Sequence, residues 1–377
     1  MKNKIKYGFI FFIAFIVVII SINLNESNKN DKVRGNIQIW ASNNTYNYLR
    51  ECANEFMELN EKVYINVNKI EQYSFLKDSL KNGELNDVKI FESSLSNFNK
   101  LKLDDFEYYN PSEEILSIYS NNFSKYRINQ LGNEQEIVGI PLTSRPLALY
   151  LREDLLEQYG YKNRDFNTWE DVIRIGNDIY NKSDKNINIL NAIDQDYYDL
   201  VDLLIMQNLD KDKTNEEIEE IVLTKIEELK NNNILNTDKN KDYIAKIASI
   251  NAIKDIDSSD EKWSVVTVPS SESGKSKFFS SEGTELYILK SKNDNDKLID
   301  KFIIFLLSNN SKAINYISTG DFFSSYLYTY KDKKIETPKE NFNGQNPLIV
   351  LSNVEEKTNL IDEYYKYLEI RTDMGLW

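Results

Sequence analysis

Between Gly35 and Phe91 the hydrophobic period switches back and forth, and that alternation limits the folds open to the chain. Ile37 and Ile39 alternate with polar neighbours and lead to Trp40, the pattern of a short, half-buried strand. Leu49, Cys52, Ala53, Phe56 and Met57 then recur at helical spacing, with Asn43, Asn44 and Thr45 placed to cap the helix. Tyr64 to Ile70 is β-rich, Phe75, Leu76 and Leu80 suggest a second helix, and Val88 to Phe91 a third strand. Strand, helix, strand, helix, strand is the order of a parallel sheet with helices packed on it. Ligands of such sheets lie beyond the carboxyl ends of the strands. Here those ends are Trp40 to Asn44 and Phe91 to Ser94.

The rest of the chain repeats the theme. A strand is expected from Ile137 to Pro141, a short polar turn from Leu142 to Arg145, and, after Pro146, a strand from Leu147 to Leu151. Two strands with so short a connector can carry a chain from one domain into another, and 377 residues suggest about two domains. Thr168 and Asp171 form a variant capping box before a face of Trp169, Val172, Ile173, Gly176 and Tyr180. Leu200 to Leu209 reads as a buried helix, and Ile218, Ile221, Val222, Ile226 and Leu229 as an amphipathic one. Strands return at Trp263 to Pro269 and at Thr284 to Leu289. Leu298, Phe302, Ile303 and Leu306 define a helix capped by Asp294 or Asp296, and Ala313, Ile314 and Ile317 carry the helical pattern to Gly320. Tyr364, Tyr365, Tyr367 and Leu368 mark a helical tail.

Composition narrows the chemistry. The chain has no histidine, which removes Ser-His-Asp and Cys-His catalysis, His-ligated zinc and any imidazole proton shuttle. Its single cysteine, Cys52, can form neither an internal disulfide nor a thiolate metal site by itself, and its place on an apolar stripe reads as packing. A net charge of −14 argues against a nucleic-acid partner, which needs a basic face. The runs at Asp210, Asp212 and Thr214 and at Asp238, Asn240 and Asp242 resemble the start of a calcium loop. Both lack the sixth-position glycine and the closing glutamate, so they read as polar loops. There is no phosphate-binding glycine loop, and no cofactor is expected. Carboxylates are too plentiful for any one pair to mark a glycosidase.

The N-terminus carries Lys2, Lys4 and Lys6, then a run from Tyr7 to Ile22 that is apolar apart from Gly8 and Ser21. No small-residue cleavage site follows, so an uncleaved membrane anchor over residues 1–24 is favoured over a cleaved signal. In both cases the lysines stay cytoplasmic and the remainder is exported, with residues 25–34 as a polar tether.

Four features stand out at expected strand ends: Trp40 to Asn44, Pro141 to Pro146 around Arg145, Ser281 to Thr284, and nearby aromatic residues that include Tyr46, Tyr73 and Tyr197. Aromatic faces can stack on sugar rings, while Asn, Glu and Arg bind hydroxyls; core packing and surface ion pairing are the competing readings of the same residues.

In order along the chain, GNIQIWASNN, ECANEFMELNEKVYINV, NDVKIFESS, IVGIPLTSRPLALYLREDLLEQYG, NTWEDVIRIGNDI, WSVVTVP, SSEGTELYILKSKN, LIDKFIIFLLSNN and FNGQ resemble segments of the extracellular solute-binding proteins of the maltose-binding type. The chain departs from that family in lacking a lipid-bearing cysteine, in having Glu282-Gly283 where paired glycines are usual, and in having no proline after Gly320. The resemblance implies an α/β fold of two lobes, each a mixed sheet flanked by helices: residues 35–143 with 268–318, and 144–267 with 319–377. It implies a monomer outside the membrane that closes on a small solute, expected to be a carbohydrate, and docks on an ABC permease without covalent chemistry. The ligand-binding candidates are Trp40 and Tyr197 for stacking and Asn43, Asn44, Glu92, Arg145 and Glu282 for hydrogen bonding. A membrane-anchored sensor or scaffold of the same fold is the alternative, and a glycosidase a third reading.

Overall fold

Burial with a period of two at Ile37, Ile39 and Ala41 sets the first strand, β1 (Gly35–Ala41), in the computed structural model. The structure describes residues 33–72, 78, 88–101, 111–133, 136–137, 139–289, 296–359 and 363–376. The N-terminal apolar run, Tyr73, the helix expected around Phe75 to Leu80 and the Asp294 cap lie outside these residues. After β1, α1 (Tyr46–Leu59) buries Leu49, Cys52, Ala53 and Phe56, the stripe read from the sequence. The Cys52 thiol, pushed up to about 12 by burial, is packing. Then come β2 (Val63–Lys69), β3 (Val88–Ser93), α2 (Leu95–Leu101), α3 (Glu113–Asn122) and α4 (Lys125–Gln130). Ser112 and Ser124 cap α3 and α4 by accepting from the backbone N–H of Ile115 and Arg127.

The turn expected at Leu142 to Arg145 is instead the body of a strand, β4 (Ile140–Pro146). Its polar residues look like a loop in sequence. They pair on both sides, however: Thr143, Arg145 and Pro146 with the later strand at 280–288, and Thr143 and Ser144 with Phe323–Ser324. Leu147 alone separates β4 from β5 (Ala148–Arg152). The chain continues through α5 (Glu153–Gln158) to α6 (Trp169–Lys182), which opens on a full Thr168–Asp171 capping box. Next are β6 (Asn188–Asn191), α7 (Gln195–Asn208), α8 (Asn215–Asn231), β7 (Leu235–Asn236), β8 (Tyr243–Ala248) and α9 (Asn251–Asp257). β9 (Trp263–Thr267) and β10 (Ser280–Ile288) follow, the latter starting four residues before the expected Thr284. The described chain ends through α10 (Asp296–Ser308), α11 (Asn310–Ser318), β11 (Phe323–Ser324), α12 (Pro347–Lys357) and α13 (Tyr364–Asp373).

Among the described residues, six strands form one sheet in the order β11-β4-β10-β3-β1-β2 and five form another in the order β9-β5-β8-β6-β7. In the first, β1 is parallel to β2 and β3, while β10 runs antiparallel to β3 and β4. In the second, β8 is parallel to β6 and antiparallel to β5. The sheets are mixed, helices flank them, and the strand pair β4–β5 passes directly from one to the other. This is the two-lobed α/β architecture expected from the sequence. Segment 268–279 makes the return crossing, from β9 to β10.

Candidate ligand-binding cleft

Where the carboxyl ends of β1 and β3 meet β4 and β10, the wall of a cleft is built around one buried carboxylate, Glu92. It accepts from the backbone N–H of Ser42 at 2.8 Å, the Ser42 hydroxyl at 2.9 Å, the Thr284 hydroxyl at 2.6 Å, and the Thr45 hydroxyl. Four donors fully occupy this anion and pin the loop from Ser42 to Thr45 onto the sheet. Thr284 is held in turn: its hydroxyl lies 2.8 Å from that of Thr143, which also accepts from the Thr284 N–H at 3.0 Å. The register of β10 against β4 slips between Ser281 and Thr284, a bulge that needs Gly283. A Cβ there would lie 1.9 Å from the Thr143 carbonyl oxygen.

Arg145 stands at the top of β4 with its side chain 26% exposed and donates to Asp199 of α7 at 2.5 Å. Gln195 donates to the same Asp199 oxygen at 3.0 Å. Burial raises the Asp199 carboxyl to about 6, with Arg145 opposing that rise and Asp202 adding to it. Glu282 turns the other way, toward the hinge. Its carboxylate accepts from the N–H of Ser96 at 2.6 Å, the Ser96 hydroxyl at 2.7 Å and Arg371 at 2.9 Å. Arg371, on α13, also donates to the buried Asp202 of α7 at 2.6 Å. Glu282 and Arg371 thus join a strand of the first sheet to helices packed on the second.

The cleft, about 280 Å³, brings together Asn44, Glu92, Arg145 and Glu282 of the residues proposed from sequence. The other three stand outside its lining. Trp40 is half-buried against the apolar core, Asn43 is exposed, and Tyr197 packs on the core with its ring 6.1 Å from that of Tyr198. Thr143 and Thr284, which hold Glu92 in place, lie in segments that stand out in the sequence but are not among its named binding candidates, and the sequence reading missed Gln195, Ser249, Asn251 and Asp321, which complete the rim. Ser249 and Asn251 follow β8, a strand unseen in the sequence because Ile244 to Ala248 is buried on both faces and shows no alternation. Among the described residues no cluster of His, Cys, Asp and Glu could hold a metal, and no helix is long and apolar enough to cross a membrane.

Fold comparison places this geometry. The sugar-binding protein MalE of Xanthomonas citri superposes with a TM-score of 0.68 at 13% identity, covering 90% of each chain. Maltose-bound MalE3 of T. maritima gives 0.64 at 15% identity, over 88% of this chain and 91% of that one. The chain has the maltose-binding fold. A third example of that fold, the galacto-N-biose-/lacto-N-biose I-binding protein of Bifidobacterium longum, superposes at 0.67 with 13% identity over 90% of each chain. By sequence, 76 residues are 34% identical to a lactose-binding protein of Rhizobium radiobacter, a match that spans 20% of this chain and 18% of that protein. No family model matches. Of the three structures, MalE of Xanthomonas citri is a sugar-binding protein, MalE3 of T. maritima is bound to maltose, and the Bifidobacterium longum protein is in complex with lacto-N-biose.

Proposed function

We propose that the protein is an extracytoplasmic solute-binding protein that closes its two lobes on a carbohydrate and delivers it to an ABC importer. The observation that carries this reading is the cleft itself. It lies between two sheets joined by the short β4–β5 crossover, and its rim is made of hydroxyl, amide and carboxylate side chains from both. Hydroxyl-rich ligands need such paired donors and acceptors. The carboxylates that line this cleft, Glu92, Glu282 and Asp321, are already held by two or more donors each, which suits a wall better than a general acid. Contacts from both lobes are complete only when the lobes approach, so ligand shifts the balance toward the closed form. In the same reading the protein is a monomer held at the outer face of the membrane by its N-terminal segment, the closed form docks on a permease, and each lobe is centred on one of the two sheets, so that residues 144–146 of β4 and Phe323–Ser324 of β11 go with the first lobe and not, as expected from the sequence, with the second.

The test is a thermal-shift and calorimetric screen of mono- and oligosaccharides, with Arg145→Ala beside the natural protein. A true ligand at 100 times its Kd adds about 2.7 kcal/mol of stability, and the variant binds it at least ten-fold more weakly. A panel in which no saccharide raises the melting temperature, while amino acids or peptides do, overturns the carbohydrate reading.

A further inference from the structure

Helix α7 carries two buried carboxylates one turn apart, Asp199 and Asp202, and each meets an arginine from another element. Asp202 meets Arg371, whose side chain is 13% exposed and is shared with Glu282, away from the cleft. Asp199 is placed differently. Its arginine, Arg145, comes from β4 of the first sheet and lines the cleft. Because α7 packs on β8 of the second sheet, the 2.5 Å hydrogen bond from Arg145 to Asp199 runs from one wall of the cleft to the other. Asp199 itself is fully buried and is not part of the lining.

Among the described residues the Arg145 side chain makes this one hydrogen bond, through a single terminal nitrogen. A guanidinium has five N–H donors, so most of them are left for a solute. Asp199 accepts from Gln195 on the same oxygen, and its second oxygen is buried with no hydrogen bond. Arg145 is the one cation bonded to it among the described residues. The elements packed against α7 are α8, β8, β10 and α13. α8 turns Ile218, Val222, Ile226 and Leu229 inward. Tyr243 and Lys246 of β8 act on Asp196. Glu282 and Glu285 of β10 are tied to Arg371 and Arg127, and Arg371 and Tyr367 of α13 face Asp202. Asp196 and Asp202, on α7 itself, add negative charge near Asp199, and Tyr150 of β5 lies beside it. Burial pushes the Asp199 carboxyl up to about 6, with Arg145 opposing the rise. Above that pH the carboxylate is ionised and fixes Arg145. Below it the holding charge is gone, and the guanidinium gains rotamers that a bound solute must freeze out.

We propose that Asp199 is a positioning residue for Arg145, so that proton uptake by a carboxylate behind the cleft wall frees the guanidinium and weakens solute binding. The cleft then holds its solute less tightly in acid than at neutral pH. The inference rests on reading the cleft as the solute site, and two readouts keep the two apart. Maltose and lactose are titrated calorimetrically into the full chain in detergent micelles from pH 8 to pH 5, beside Asp199→Asn, with circular dichroism as the check on folding. Over the same range, without sugar, the side-chain NMR signals of Arg145 are followed in both proteins and assigned with Arg145→Ala. Affinity for a disaccharide that binds is expected to fall about two- to ten-fold toward pH 5. Asp199→Asn is expected to bind it as weakly at pH 8 as the natural protein does at pH 5, with no trend between. A purely structural Asp199 would change stability without flattening that profile. A flat profile in the natural protein, or a trend that persists in Asp199→Asn, overturns the proposal and leaves the cleft reading intact. Binding of neither sugar counts against the saccharide reading, and the arginine signals then decide. A titration confined to the natural protein supports the positioning role, and signals that ignore pH or titrate alike in both proteins overturn it.

Discussion

Arg371 is the cation on which two buried carboxylates depend, and Arg371→Met should show how unequally they depend on it. Its guanidinium lies over the Tyr367 ring at 5.6 Å and donates to Asp202 at 2.6 Å and to Glu282 at 2.9 Å. The carboxylate side chains are 1% and 7% exposed. Removing one partner of a buried pair costs about 3–5 kcal/mol because the other charge is left uncompensated. Glu282 keeps two donors from Ser96, at 2.6 and 2.7 Å, so it contributes the smaller part. Asp202 keeps none among the described residues: one oxygen loses Arg371 and the other is already buried without a hydrogen bond. The expected loss is therefore about 3–5 kcal/mol, set by Asp202, against a total folding stability of order 5–15 kcal/mol. Urea denaturation followed by circular dichroism at pH 7 measures it. Adding Asp202→Asn to the variant should recover about half of the loss or more, and adding Glu282→Gln little. A loss below about 1 kcal/mol, or equal recovery by the two second changes, refutes this account of the hinge network.

Two further perturbations probe the cleft wall. Gly283→Ala sets a methyl 1.9 Å from the Thr143 carbonyl oxygen, so β10 must shift away from β4 and strain the Thr143–Thr284 contacts that hold Glu92. Overpacking of this kind costs about 1–3 kcal/mol, and an unchanged urea midpoint would show that the bulge has slack. Asp199→Asn tests the electrostatics: the carboxyl is raised from 3.8 to about 6 by burial. Between those pH values the folded form keeps a proton that the unfolded form has lost. Stability from this group therefore falls as pH rises from about 4 to about 6 and is level above that, a swing of about 3 kcal/mol at most. Urea midpoints stepped through that window should slope less in Asp199→Asn, and identical slopes in the two proteins would refute the assignment.

The parts of the fold legible in the sequence were those with a clean period. The α1 stripe of Leu49, Cys52, Ala53 and Phe56 and the capping box of α6 appear as read, because one face is buried and the other wet. β4 was misread past Pro141 since Thr143, Ser144 and Arg145 carry turn-like polarity, yet they are polar because they face a cleft while their backbone pairs with β10 and β11. β8 was invisible for the opposite reason, being buried on both faces. At the site, Glu92, Arg145 and Glu282 were legible as charged residues at strand ends. Their actual partners, Thr284, Asp199 and Ser96, are 192, 54 and 186 residues away in sequence, and no local pattern announces a contact made by topology.

That distribution bears on how closure could be driven. The strand-end acids Glu92 and Glu282 are held by protein donors and have little left to offer a ligand. Asn44, Gln195 and Asn251 are exposed on the rim instead, the first on the loop after β1 of one sheet and the others on α7 and α9 of the other. In the proposed function, a ligand held by one side alone satisfies only part of that set and bringing the sides together adds the remainder, so the free energy that would favour closure resides in exposed amides on opposite walls. The locked carboxylates have a different role. They keep each wall rigid, so the added contacts are not offset by disorder in the walls, and ordering costs fall on a few rim side chains rather than on the loops that carry them.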